Sequence, residues 1–226
     1  MSRREQNRLE KQDRILSAAL KVFSKTGYAN ASMDDIAAEA GLSKPTLYSY
    51  FQGKEALFQA IMTAPRDVMM MAFETDEEEE LVPQLLNFAW AYADIVMHPD
   101  FLALARLIIG EAHRFPDIGK TYQQSGPDQV LRGLTSFMEK QRAVGRLIFE
   151  DPELAAEDFW GLILSAPRNR ALHIPDERLE RADLARYVHN GLRVFLRAYS
   201  ANPEHDLAAL QRILSAEKLW WSGDLM

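Results

Sequence analysis

Apolar residues recur along this chain at three- and four-residue intervals, the spacing of a helix face, and no stretch alternates apolar and polar positions as a half-buried strand would. The first stripe, Ile15, Leu16, Ala19, Leu20 and Phe23, predicts a helix over about residues 13–25, with Lys11, Arg14, Lys21 and Lys25 off the stripe. Gly27 supplies its left-handed stop. A short second helix over 33–40 buries Ile36, Ala37 and Ala40 and ends at Gly41. Ser32, with the acid Asp35 three residues on, resembles a capping box in which Asp replaces Glu. The third helix opens almost at once, with Ser43 as N-cap and Pro45 in the first turn, where its missing N–H has no intrahelical partner to lose. Two short helices joined by a glycine turn of about three residues form a helix-turn-helix. Gln52 and Gly53 then turn the chain, and Lys54 begins a fourth helix that Pro65 should end or kink near residue 64.

Helical periodicity continues to the end of the chain. Helices are expected at about 82–97, 100–113, 117–124, 127–143, 153–166, 177–200 and 204–220, with breaks near Pro99, Pro116, Gly126, Pro152, Pro167 and Pro203. The acid run at 74–80 reads as a solvated loop whose last charges favour the start of the next helix. Leu184, Tyr187, Val188, Gly191, Leu192, Phe195 and Tyr199 form one broad stripe, and Phe159, Trp160, Leu162 and Ile163 form another in the helix before. Such stripes make either a core or a subunit interface. Leu207, Leu210, Ile213, Leu214, Leu219, Trp220 and Trp221 predict one further helix packed on them. The fold class is all-α.

Composition narrows the function. The 226 residues are 47% hydrophobic and 26% charged, enough for a real core, and they include no cysteine, which excludes disulfides and thiolate metal sites. A reducing, cytoplasmic setting is expected, since the first fourteen residues carry no apolar leader and no apolar run is long enough for a membrane span. The net charge of −7 is unevenly divided: residues 1–62 hold nine Lys/Arg against seven Asp/Glu (+2), and the rest hold 17 against 26 (−9). The basic share lies where the helix-turn-helix lies. Arg3, Arg4, Arg8, Lys11 and Arg14 make either a basic arm for phosphates or a solvated, frayed end.

In the third helix Leu47 and Phe51, four apart, face inward, so Lys44, Thr46, Tyr48 and Ser49 face outward. Lys44 can donate to a guanine edge or a phosphate, and Pro45 with the Thr46 methyl can meet a thymine methyl. The hydroxyls of Thr46, Tyr48 and Tyr50 can reach phosphate oxygens, and Lys54 can join the helix start behind it in holding another. Enzyme chemistry finds no foothold. A di-metal carboxylate bundle needs Glu-x-x-His pairs, and the chain has none, nor a nucleophile elbow, a phosphate loop or a dinucleotide fingerprint. No cofactor and no metal is expected, and the five His show no ligand spacing.

The first helix through Phe23 with Gly27 and Tyr28, then SMDDIA (32–37), AGLSKPTLYSYF (40–51) and GKEALF (53–58), together resemble the N-terminal domain of TetR/AcrR-family transcriptional regulators. GEAHRFPD (110–117) and DPELAAE (151–157) more loosely resemble the C-terminal domain of an AefR-like branch. The resemblance implies a three-helix helix-turn-helix DNA-binding domain over 1–62 and a larger helical ligand-binding and dimerisation domain over 63–226. It implies a cytoplasmic homodimer with no membrane attachment, a double-stranded DNA operator, and release from it by a small apolar or amphipathic effector, as in a repressor. Carried over by position, Lys44, Pro45, Thr46 and Tyr48 face the groove and Ser32, Ser43, Tyr50 and Lys54 face phosphates. Asp34 stands where some members place a base-reading basic residue; an acid there repels phosphate, accepts from a cytosine amine, or simply favours the helix start. Two late helices from each subunit would form a four-helix interface, with Gly191 allowing close approach. Trp90, Met97, Phe101, Leu104, Phe137 and Trp160 are candidate effector contacts, with Arg106, Glu111, His113 and Arg114 as the polar groups to orient it; plain core and helix-face ion pairs explain the same residues equally well. The competing reading is a helical interaction module that has lost DNA binding.

Overall fold

The computed structural model describes residues 2–71, 80–177 and 179–221. Among them run eleven helices: α1 (Arg3–Asn30), α2 (Met33–Glu39), α3 (Lys44–Tyr50), α4 (Lys54–Met71), α5 (Leu81–Val96), α6 (Pro99–Glu111), α7 (Pro116–Ser125), α8 (Pro127–Ala143), α9 (Pro152–His173), α10 (Arg181–Tyr199) and α11 (Pro203–Trp221). The described residues hold no strand, only an isolated bridge between Leu147 and Ser200. The fold is all-α, as the periodicity requires. The acid run at 74–79 lies outside the described residues, as do the side chains of Leu219, Trp220 and Trp221.

Two compact units are present, Met1–Asp67 with His98–Gln129, and Val68–Met97 with Val130–Met226. In the first, Ile15 and Phe23 of α1, Ile36 of α2, Leu47 of α3 and Leu57 of α4 are fully buried, and Leu104 and Ile108 of α6 and Ile118 of α7 join the same core. Phe23, Tyr28, Phe58 and Phe115 interlock at ring-centroid distances of 5.3–6.3 Å. Packing groups α6 and α7 with the N-terminal helices, rather than dividing the chain at residue 62.

Three sequence expectations need correction in this part of the chain. The first helix begins at Arg3, not near residue 13, because Ser2 and Glu5 form a complete capping box: the Ser2 hydroxyl accepts from the Glu5 N–H and the Glu5 carboxylate accepts from the Ser2 N–H at 2.7 Å. That bond holds the Glu5 carboxyl below its ordinary range. At Ser32 the box is only half made. Ser32 caps the Asp35 N–H at 3.1 Å, but its hydroxyl donates to the Asp35 carboxylate at 2.5 Å, so the shorter acid bonds the cap's side chain. Finally, α4 runs through Pro65 to Met71. One lost backbone bond does not outweigh propagation of the helix on either side. Gly27 does interrupt α1, with φ 77° and ψ 159°, and Glu111 of α6 places a carboxylate oxygen 2.8 Å from where a Cβ would stand.

In the second unit α9 and α10 lie antiparallel, Leu162 opposite Gly191 and Asp158 opposite Tyr199. Phe88 of α5, Phe159 of α9 and Phe195 of α10 meet in series through it, the first pair tilted with centroids 5.6 Å apart and the second edge-on at 5.0 Å. Gln141 of α8 donates to buried Gln84 of α5 at 3.2 Å. Here α9 continues through Pro167 to His173, against the expected break, because Pro167 is itself buried and its helix is held along its length by α10 and α5. In turn α10 starts at Arg181 rather than near 177, since Glu177 is held by Arg170 at 2.7 Å and the chain turns around that pair. A Cβ on Gly191 would stand 2.5 Å from the Leu162 carbonyl oxygen, so the close approach expected between subunits lies within the chain.

Candidate nucleic-acid interface

The helix-turn-helix is built by side chains that serve the backbone before they serve anything else. Ser43 accepts from the Thr46 N–H at 3.4 Å and shares a 2.8 Å hydrogen bond with the Thr46 hydroxyl, which closes the first turn of α3. Ser49 donates to the Thr46 carbonyl at 2.6 Å. Gly41 at φ 62° makes the turn between α2 and α3. Leu47 is fully buried and Phe51 nearly so, which leaves Lys44, Pro45, Tyr48 and Ser49 exposed and Thr46 and Tyr50 half-buried. Tyr48 is 43% exposed, a large aromatic surface with no structural reason to face water. Tyr50 instead packs partly against the core.

Asp34 and Lys44, ten residues apart, meet across the turn: the Lys44 ammonium lies 2.8 Å from one Asp34 oxygen and 3.1 Å from the other. The hydrogen bond to Asp34, and then its charge, raises the Lys44 pKa. Asp34 therefore does more than favour a helix start. Lys54 also has partners inside the unit. Its ammonium donates to the carbonyls of Tyr28 and Ala29 at 3.0 and 3.1 Å and lies 4.8 Å from the Tyr28 ring centroid, so it ties α4 to the end of α1. An ammonium has three N–H groups, and these two carbonyls take two of them. Burial, then the neighbouring Glu55 charge, pushes the Tyr28 phenol up to about 12. Ser32 is exposed at the start of α2, and Arg3, Arg4, Arg8, Lys11 and Arg14 are exposed along the first turns of α1, a helix rather than a loose arm.

The six candidate effector contacts do not share one unit. Phe101 and Leu104 lie on α6 in the first, with Leu104 only 1% exposed in its core; Trp90, Met97, Phe137 and Trp160 belong to the second. Trp90 stacks under the Arg181 guanidinium at 4.2 Å and against His189, and Trp160 meets Tyr92 edge-on at 5.2 Å. Of the four polar groups, Glu111 abuts Gly27 and Arg114 lies over the Phe115 ring. Among the described residues no three His, Asp or Glu converge as metal ligands, and no helix is long and apolar enough to cross a membrane. His98 caps α6, His173 bonds the Asn169 oxygen, and His205 sits beside Asp206.

The Asp34–Lys44 and Tyr28–Lys54 contacts escaped sequence reasoning because they join residues 10 and 26 apart. No local signal marked either contact, because the glycine turn joins the end of α2, not its first turn, to the start of α3.

Comparison with known proteins places this geometry. The family model for bacterial regulatory proteins of the tetR family matches residues 15–61, and that for the AefR-like transcriptional repressor C-terminal domain matches residues 83–201. The chain is 30% identical over 97 residues to the HTH-type transcriptional repressor NicS of Pseudomonas putida, a match covering 41% of this chain and 45% of NicS. It thus spans less than half the length of that curated relative. Solved structures match over more of their length. A TetR-family transcriptional regulator from Mesorhizobium loti is 29% identical with a TM-score of 0.70, over 88% of this chain and all of that one. The flavonoid-responsive regulator FrrA is 32% identical with a TM-score of 0.65, over 84% of this chain and 97% of FrrA. With both halves of the chain matched in order and a helix-turn-helix at the start, the protein belongs to the TetR family of bacterial transcriptional regulators and carries an AefR-like C-terminal domain.

Proposed function

We propose that the chain is a homodimeric, effector-released repressor whose α3 reads the major groove of a near-palindromic operator. The observation that carries this reading is the outer face of α3: Lys44, Pro45 and Tyr48 are exposed and Thr46 half-exposed, while Leu47, with Phe51 and part of Tyr50, anchors the helix from behind. Side chains of these types at a helix start suit base edges and thymine methyls. Ser32, Ser43, Tyr50 and Lys54 surround them as phosphate contacts that set register. Residues 1–62 form the DNA-binding domain, and residues 63–226 bind effector and dimerise. The dimer uses α9 and α10, which leave Leu162, Tyr187 and Val194 exposed on one hairpin. A two-fold pair would set its reading helices about 34 Å apart, one turn of duplex.

The effector is a small apolar or amphipathic molecule. FrrA, similar over most of its length, responds to flavonoids, and in this chain Trp90, Met97, Phe101 and Trp160 are partly accessible large apolar side chains of the kind such a ligand seeks. Leu104 and Phe137, each buried within its own unit, are the less accessible of the candidates. Because effector and operator favour different spacings of the reading helices, each must weaken the other by the same factor.

Selection of bound sequences from a random duplex pool at fixed moderate salt tests the reading. A near-palindrome with half-sites about one turn apart is expected. Recovery of no sequence, with and without cell extract to supply effector, would leave instead a helical interaction module without DNA binding. Thr46→Ala should then alter which half-site is selected more than it alters affinity for random duplex.

A further inference from the structure

We infer that Asp34 and Lys44 act as one reading unit that recognises a single G·C base pair in each half-site, with Asp34 as a specificity-determining residue. The inference rests on the DNA-binding reading above. Its starting point is a pair that stability does not explain. Lys44 and Asp34 side chains are 56% and 65% exposed, and an ion pair so open to water contributes little to a fold. Nor does it serve general attraction to DNA. The carboxylate cancels the ammonium at the first residue of α3, in a domain whose net charge is only +2, and it would be repelled by any phosphate Lys44 approached.

The pair fits a base edge instead. In the major groove a G·C pair presents the cytosine N4 amine beside the guanine O6 that it bonds, a donor and an acceptor about 3 Å apart. The Lys44 nitrogen and the nearer Asp34 oxygen are a donor and an acceptor 2.8 Å apart. Laid against that edge, the ammonium donates to O6, with N7 next to it as a second acceptor, and the carboxylate accepts from N4. All four groups are satisfied without breaking the ion pair. An A·T pair also sets an amine beside a carbonyl, but its O4 is crowded by the thymine methyl and has no second acceptor at its side. Base-edge contacts come from the first residues of a recognition helix, and Lys44 is the first residue of α3. Asp34 thus trades affinity for all DNA against discrimination at one position.

The test compares the full-length wild-type chain with Asp34→Asn, Lys44→Met and the double variant, by selection from the random pool and then by titration of the selected duplex, each single-pair substitution of it, and random duplex across salt. Asp34→Asn is nearly isosteric, keeps the Ser32 cap and should fold, which thermal melting checks. The expected result is that both single variants lose about tenfold of G·C preference, at the same base pair in each half-site, and that the double variant loses no more than either. Asp34→Asn should also bind random duplex more tightly, with a salt slope steeper by about 0.9, because Lys44 is released to a phosphate. Lys44→Met should not. The inference is overturned if Asp34→Asn keeps the wild-type preference at every pair, or if the two single variants affect different pairs. A wild-type chain that selects no sequence at all would overturn the DNA-binding reading as well, which separates the two failures.

Discussion

At α3, the helix is anchored in its unit by one fully buried side chain, Leu47, with Tyr50 packed partly against the core and Phe51 closing its end, and its polar contacts are hydrogen bonds and an ion pair open to water. The α9–α10 hairpin is the opposite: the two backbones meet at Gly191 and Leu162 so closely that there is no room for one carbon atom, and aromatic rings from three helices fill the rest. The difference teaches where each kind of residue can be changed. A reading helix must keep its outer face chemically free to match a partner, so its fit is concentrated behind it. A scaffold hairpin has no such duty on its inner face, and its fit is spread along the whole contact.

If that contrast is right, the largest single effect in the DNA-binding unit comes from the smallest anchor. Leu47→Ala should destabilise the first unit by about 2–5 kcal/mol, since Leu47 is 0% exposed and α3 has only seven residues with which to compensate. Equilibrium urea unfolding followed by far-ultraviolet circular dichroism would show it as a lower midpoint, with DNA binding lost in parallel. A loss below about 1 kcal/mol would mean that the capping bonds of Ser43 and Ser49, not Leu47, hold the helix.

Next in size is the hairpin. Gly191→Ala should cost about 1–3 kcal/mol, because the added Cβ would meet the Leu162 carbonyl oxygen at 2.5 Å and backbone cannot step aside as a side-chain tip can. Gly161, on the neighbouring α9 with nothing within 4 Å of its would-be Cβ, is the control. Gly161→Ala should stabilise by up to about 1 kcal/mol through helix propensity alone. Thermal melting of the two variants side by side should move in opposite directions; movement in the same direction would show that the approach at Gly191 relaxes more easily than its geometry suggests.

How much of this was legible in advance varies with distance along the chain. The caps at Ser32 and Ser43, the burial of Ile36 and Leu47 and the outward turn of Tyr48 follow from neighbours within four residues, and the structure has them all. The start of α8 follows from Pro127 after Gly126. What failed was the expectation of a helix end at Pro65 or a break at Pro167: both lie inside helices, α4 and α9, where the helix on either side outweighs one missing bond. Gly191 was readable as a point of close approach but not as to which backbone approaches it, and Lys54 was readable as a cation at a helix start but not as a tie to carbonyls 25 and 26 residues earlier. Those facts belong to tertiary contacts that no local pattern contains.

The smallest predicted effect sets one phenol in each unit against the other. Tyr28 and Tyr199 are both pushed up to about 12, from an ordinary 10.0, but for different reasons: burial comes first for Tyr28, and the hydrogen bond to Asp158 comes first for Tyr199. In either case the unfolded chain releases the proton near pH 10 while the folded chain holds it. The stabilisation is therefore complete below pH 10 and is lost as pH rises through that window toward about 12. Tyr28 is nearly excluded from water, whereas the Tyr199 to Asp158 bond lies at an exposed site and is screened. Tyr28→Phe should consequently flatten the alkaline fall in stability more than Tyr199→Phe does, as measured by denaturant midpoints across that pH window. An equal or larger flattening from Tyr199→Phe would show that a single exposed carboxylate holds a phenol neutral as firmly as a core does, and the contrast between a packed anchor and a solvent-facing bond would fail at these two residues.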